Sequence, residues 1–331
     1  MERFALAAAV VLGFALTAAL CSLFVPLRRV LERREQQQQP VQSEQPRPAP
    51  LRAPLWGGLC AAAGTVAAVG VGWLAACVGQ PELLGSEGRL MTRLLTALAG
   101  SLAFGAVGLA EDVARMRSPA ALGLRRDVRL LLEALAAAFV LLLLRAAGCL
   151  PRGLGVPGAG YVLLGSAVPF LWAVLMVALA ECARIAERDE GAVCGAAFVA
   201  MLALMMVEAG LGVSGLAVLP AALAGALVAL GLWAFPPARL GAGCCGSLLA
   251  AGAIGCFPLS LDMTSLTVPL ALPFWAAGGL LAAQLLCAKR TGKPLRCWVK
   301  KHKMSPETVF LCSFALSAVG YVLALALLRW C

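Results

Sequence analysis

The chain has 331 residues, of which 61% are apolar and 13% charged, with a mean hydropathy of +0.89. A water-soluble domain carries roughly a quarter charged residues. The balance excludes a soluble enzyme, a secreted disulfide scaffold and a disordered binder, and marks a polytopic membrane protein. Thirteen cysteines do not alter this. Cys21, Cys60, Cys77, Cys194, Cys256 and Cys312 lie inside apolar runs, where a thiol behaves as a small hydrophobe. None forms a spaced metal-binding pattern.

A helix needs about 20 apolar residues to cross the hydrocarbon core. Ten runs qualify in chain order: 5–26, 55–78, 93–110, 128–147, 161–183, 192–210, 213–234, 245–261, 265–287 and 309–328. The fold class is therefore all-α, a single membrane domain over 1–331. The first run is too long and lacks a cleavage-like end, so it reads as a retained helix rather than a signal peptide. Gln36–Gln39 and Pro40, Pro46, Pro48 and Pro50 make 28–53 a polar linker with little structure of its own. The breaks at 208–215 and 261–265 are the weakest. Abundant Gly and Ala suit close helix contact within a bilayer.

Positive charge sets orientation. Twenty of the 27 Lys and Arg residues fall in the alternate segments 28–53, 111–127, 184–191, 236–244 and 288–308. Six lie on the opposite side. These five segments are expected in the cytoplasm and both termini outside. The net charge of +10 is then mostly the positive-inside signal plus attraction to anionic head groups. The basic segments carry a single aromatic among them, Trp298 in 288–308, and lack the repeated interleaving that would suggest a nucleic-acid partner.

Polar groups at the cytoplasmic ends of spans are the places where chemistry could meet a soluble substrate. They are Pro54-Leu55-Trp56-Gly57-Gly58; Glu111-Asp112 followed by Gly123-Leu124 and Arg129; Glu181 to Gly191; Gly243-Cys244-Cys245-Gly246-Ser247-Leu248; and Thr291-Gly292-Lys293 followed by His302, the one histidine. Each has a plainer reading. Gly57-Gly58 fits helix packing, and Glu111-Asp112 fits a solvated helix end. Glu187 and Glu190 alternate with Arg184 and Arg188 at helical spacing, which fits ion pairing. His302 sits among lysines in a basic loop.

In order and spacing these segments resemble those of the polyprenyl-phosphate phospho-sugar transferases, most closely the phospho-N-acetylmuramoyl-pentapeptide transferase branch. That family's Pro-Thr-Met-Gly-Gly resembles Pro54 to Gly58, and its Asp-Asp pair falls on Glu111 and Asp112. Its Asn-Ala-Val-Asn-Leu-Thr-Asp-Gly-Leu-Asp-Gly falls on Glu181 to Gly191, with Glu187 and Glu190 at the aspartate positions and Glu181 and Arg184 at the asparagines. Its Gly-Asp-Thr-Gly-Ser-Leu falls on Gly243 to Leu248, with Cys244 at the aspartate. Its Thr-Gly-Lys and first histidine fall on Thr291-Gly292-Lys293 and His302.

The resemblance implies ten helices around a cytoplasm-facing cleft in a bacterial-type plasma membrane. The implied reaction passes a phospho-sugar from a UDP-linked donor to polyprenyl phosphate and releases UMP, in lipid-linked cell-wall precursor synthesis. It implies catalytic roles for Glu111, Asp112, Glu187 and His302, and substrate contacts from Arg129, Glu190, Lys293, Gly246 and Ser247. It implies Mg²⁺ at Asp112, Glu187 and Cys244, and a homodimer.

Phosphoryl transfer depends on positioning and charge neutralisation. Here the chain departs from the pattern. Glu for Asp moves the oxygens by about an ångström, enough to cost about a hundredfold in rate. Cys for Asp offers a soft ligand to a hard cation. Weakened or lost activity is the expectation that follows. The alternatives are a catalytically silent relative that binds lipid phosphate, nucleotide-sugar or a cell-wall partner, and a ten-span small-molecule transporter. A transporter predicts an inverted internal repeat, and none is visible.

Overall fold

The computed structural model describes residues 2–38, 56–79, 88–117, 123–151, 153–156, 160–163, 165, 167–187, 191–210, 215–235, 238–291 and 305–328. Helices dominate. In chain order they are α1 (Glu2–Gln38), α2 (Gly57–Gly79), α3 (Gly88–Arg117), α4 (Arg126–Ala146), α5 (Ala167–Ala186), α6 (Ala192–Gly210), α7 (Val218–Ala234), α8 (Gly243–Ser260), the short α9 (Thr267–Leu270), α10 (Leu272–Thr291) and α11 (Pro306–Leu328). Among the described residues six helices are long and apolar enough to cross a membrane: α1, α2, α3, α5, α8 and α11. The bent pair Thr264–Leu270 and Leu272–Gln284 makes a seventh if counted as one span. The chain is a polytopic membrane protein.

Four differences from the sequence expectation stand out. Helix α1 continues to Gln38, so the first part of the 28–53 linker is helical. Its Leu, Arg, Glu and Gln residues are good helix formers. Helix α3 likewise continues to Arg117, which puts Glu111 and Asp112 on a helix and not in a loop beyond it. The 161–183 run starts in a strand. Gly153–Val156 (β1) and Gly160–Leu163 (β2) pair antiparallel, Gly153 opposite Leu163, and α5 begins only at Ala167. The 265–287 run is broken at Ala271 with a bend of 62°. Pro269 and Pro273 flank the break, and each removes a backbone donor that a continuous helix would use.

Helices α7 and α8 form the centre. All of α8 is buried, and α7 nearly so. Lipid is as apolar as Leu, so helices in a bilayer associate by close packing rather than by the hydrophobic effect. The sequence meets this with small residues at crossings. A Cβ at Gly13 or Gly225 would overlap backbone of Ala222 or Val10, where α1 crosses α7 antiparallel. Along α3 and α8, Gly100 faces Cys256, Gly105 faces Leu249 and Gly108 meets the Cys244 carbonyl. The abundance of Gly and Ala is thus spent on contact, as the composition suggested.

Candidate functional site

One end of the bundle gathers the N-terminal ends of α2, α4 and α8 and the C-terminal ends of α3 and α5. Four of the five sequence segments meet there. The fifth, with Lys293 and His302, lies outside the described residues, as do Glu190 and Pro54-Leu55.

The N-terminus of α8 is the hub. Its chain enters through Gly243 in the left-handed region (φ 67°), a conformation that favours glycine. The cap residue is Ala242, which has no side-chain acceptor for the first free amides. Asp112 of α3 supplies one from outside. Its Oδ1 accepts the Cys244 amide at 3.0 Å and its Oδ2 the Cys245 amide at 2.9 Å. A carboxylate there also meets the positive end of the helix dipole. The side chain is only 1% exposed. Glycines bring the neighbours this close. A Cβ at Gly58 would overlap the Gly246 amide nitrogen, and one at Gly108 would overlap the Cys244 carbonyl. Gly246 is buried against Gly58, and the buried Ser247 hydroxyl donates to the Cys244 carbonyl at 3.1 Å.

Beside this hub lies a network of charges on α3, α4 and α5. Arg115 Nη2 donates to Glu111 Oε1 at 2.7 Å. Arg129 Nε donates to Glu181 Oε1 at 2.8 Å, while its Nη1 is 3.6 Å from Glu111 Oε1. Glu133 Oε1 is 4.0 Å from Arg129 Nε. Arg184 Nη2 donates to Glu181 Oε2. Arg129 therefore ties three helices through three carboxylates. Glu187 sits in the turn after α5, where its charge acts on Arg115 and Cys244. Buried charges are tolerated when paired in this way, and removing one partner typically costs about 3–5 kcal/mol.

Among the candidate residues, the structure brings together Glu111, Asp112, Arg129, Glu187, Cys244, Gly246 and Ser247. It adds four that the motifs did not assign as site residues: Arg115, Glu133, Glu181 and Arg184. Three of the pairs were readable at helical spacing, since Arg115 follows Glu111 by four, Glu133 follows Arg129 by four and Arg184 follows Glu181 by three. Arg184 pairs back to Glu181.

Mg²⁺ wants several carboxylate oxygens free to face one point. Both Asp112 oxygens instead face amides, both Glu181 oxygens face guanidiniums, and Glu111 Oε1 faces Arg115. The Cys244 thiol is fully buried and soft. Among the described residues no three His, Cys, Asp or Glu side chains are placed to hold a metal ion. The described donor set does not fit Mg²⁺. What the arrangement offers is hydrogen-bond donors. At its rim Arg115 is 23% exposed and Arg184 12% exposed, and guanidinium forks suit phosphate oxygens.

The family model described as glycosyl transferase family 4 matches residues 94–262. That stretch is about half of the chain and runs from α3 through the end of α8. It contains Glu111, Asp112, Arg129, Glu181, Glu187 and Cys244. No curated protein matches the chain.

Proposed function

The chain belongs to glycosyl transferase family 4, the family of phospho-N-acetylmuramoyl-pentapeptide transferase and related polyprenyl-phosphate transferases, and from that premise we propose a relative that has kept the binding scaffold and lost most or all of the transfer. Its ligands are polyprenyl phosphate in the bilayer and a UDP-linked phospho-sugar from the cytoplasm, as in lipid-linked cell-wall precursor synthesis. We place ten spans in a bacterial-type plasma membrane, both termini outside and the charged end of the bundle in the cytoplasm. Each of the ten apolar runs overlaps a helix or the bent pair, and the basic segments alternate accordingly.

The observation that carries this reading is the state of Asp112. It is the one aspartate on a position the motifs assign to chemistry, and both its oxygens are committed to the α8 amides. A carboxylate so engaged is a helix cap, poorly placed to take a proton from an attacking phosphate or to position one. Glu111, its neighbour, gives one oxygen, Oε1, to Arg115. Among the described residues, the arginines at the rim are the groups placed to bind and orient a phosphate.

The test compares binding with transfer on the purified full chain in nanodiscs. Native mass spectrometry is expected to show polyprenyl phosphate retained by the wild type. Incubation with a UDP-linked phospho-sugar and Mg²⁺ is expected to release no more UMP than a Glu111→Ala, Asp112→Ala variant. Robust UMP release by the wild type alone would sink the proposal.

A further inference from the structure

Three carboxylates from three helices, Glu111, Glu133 and Glu181, converge on one point. Carboxylates gathered in this way are the kind of group that holds a hard cation. Here the Arg129 guanidinium fills it, at 3.6, 4.0 and 2.8 Å from the three. It is 9% exposed, and Glu133 below it is fully buried. We propose that Arg129 takes the place of a divalent cation in this cluster, and that Arg115 and Arg184 bind a phosphate monoester there without metal.

The charges support the substitution. Asp112 is compensated by the two N-terminal amides of α8. Arg115, Arg129 and Arg184 stand against Glu111, Glu181 and Glu187. Glu133 contributes one further carboxylate, whose described contact is Arg129 at 4.0 Å. The cluster divides by depth. Glu111, Asp112 and Glu133 are 2%, 1% and 0% exposed, and Arg129 lies with them. Arg115, Arg184 and Glu181 form the rim.

Donors remain unused at that rim. Arg184 gives one Nη2 bond to Glu181, and its Nε, just below the rim, has no hydrogen-bond partner among the described residues. The acceptors left without a hydrogen bond among the described residues of this cluster, Glu111 Oε2 and the Glu133 carboxylate, belong to the deep layer, so a ligand arriving from the rim meets guanidiniums first. A guanidinium in the cation's place keeps a fixed charge and a planar fork, and needs no dehydration of an ion. A phosphate could come from the lipid or from a nucleotide, since both present the same oxygens.

The ligand half of this proposal rests on the reading of the cluster as a phosphate site; the metal half does not. The experiment uses the full chain in nanodiscs and has separate arms. In the first, Mn²⁺ is titrated and followed by electron paramagnetic resonance, with no phosphate present. The wild type is expected to leave Mn²⁺ free, while Arg129→Met, which removes the guanidinium that holds three carboxylates apart and so lets them draw together, is expected to bind it. In the second, UMP in solution and polyprenyl phosphate in the bilayer are each titrated in EDTA and in Mg²⁺. Affinity is expected to be the same in both, and to fall about tenfold in Arg184→Gln, the loss of one charged hydrogen bond.

Stoichiometric Mn²⁺ binding by the wild type, lost in Glu111→Gln, overturns the metal half whatever the ligand does. Binding abolished by EDTA overturns the ligand half. A folded wild type that binds neither phosphate overturns the ligand half together with the proposed function, but leaves the Mn²⁺ result standing. Should Arg129→Met fail to fold, the wild-type Mn²⁺ titration and Arg184→Gln carry the test. Arg184→Lys, which keeps the charge and loses the fork, is expected to bind between the two.

Discussion

Replacing Asp112 by alanine leaves the Cys244 and Cys245 amides without an acceptor inside the bundle. The two hydrogen bonds are 3.0 and 2.9 Å long and the carboxylate is 1% exposed, so water has no ready route to replace it. An unsatisfied buried amide costs about 1–3 kcal/mol, which gives about 2–6 kcal/mol for the pair. Part is recovered as Arg115, already at the rim, settles on Glu111 alone. The expected loss is about 3–4 kcal/mol. Asp112→Asn keeps one acceptor and should lose about half of that. The assay is equilibrium unfolding in mixed micelles, run in EDTA and in Mg²⁺, and the loss is expected to be equal in both. An Asp112→Ala protein within about 0.5 kcal/mol of wild type, less than a typical cap is worth, would refute the capping argument.

Two further substitutions test the packing. Gly58→Ala drives a methyl into the Gly246 amide and the Ala242 carbonyl, both backbone, and should cost about 1–3 kcal/mol or more in the same unfolding assay. Gly70→Ala, on the same helix with open space around it, should be neutral or stabilising by about 0.5–1 kcal/mol; equal effects of the two would contradict the α2–α8 contact. Glu208 of α6 is fully buried, with neither carboxylate oxygen hydrogen-bonded among the described residues. Glu208→Leu is therefore expected to raise stability by about 1–3 kcal/mol, and a marked loss would reveal a partner for that carboxylate.

Much of the fold was legible because a bilayer demands long apolar runs, and such runs are visible one residue at a time. Their ends were less so. Hydropathy counts Tyr161, Val162 and Leu163 as the start of a span, yet they lie in the strand Gly160–Leu163, because apolar content does not separate a strand from a helix. It is equally blind to the bend at Ala271, which the flanking prolines set. The site divides along the same line. Pairs on one helix follow from spacing, as with Glu111 and Arg115. The bonds that define the site do not. Arg129 and Glu181 are 52 residues apart, and Asp112 is 132 and 133 residues from the amides it caps. No side-chain identity at Cys244 or Cys245 announces that contact, since the partner is backbone. The motif resemblance singled out Asp112, and only the geometry shows what its oxygens touch.

The most direct measurement is UMP release by the purified chain from a UDP-linked phospho-sugar in the presence of polyprenyl phosphate, with Mg²⁺ and with EDTA. A cluster whose cation position is held by Arg129 and whose aspartate caps a helix predicts the same background level in both, matched by the Glu111→Ala, Asp112→Ala protein. Turnover that appears with Mg²⁺, vanishes with EDTA and is lost in the double variant would contradict the account.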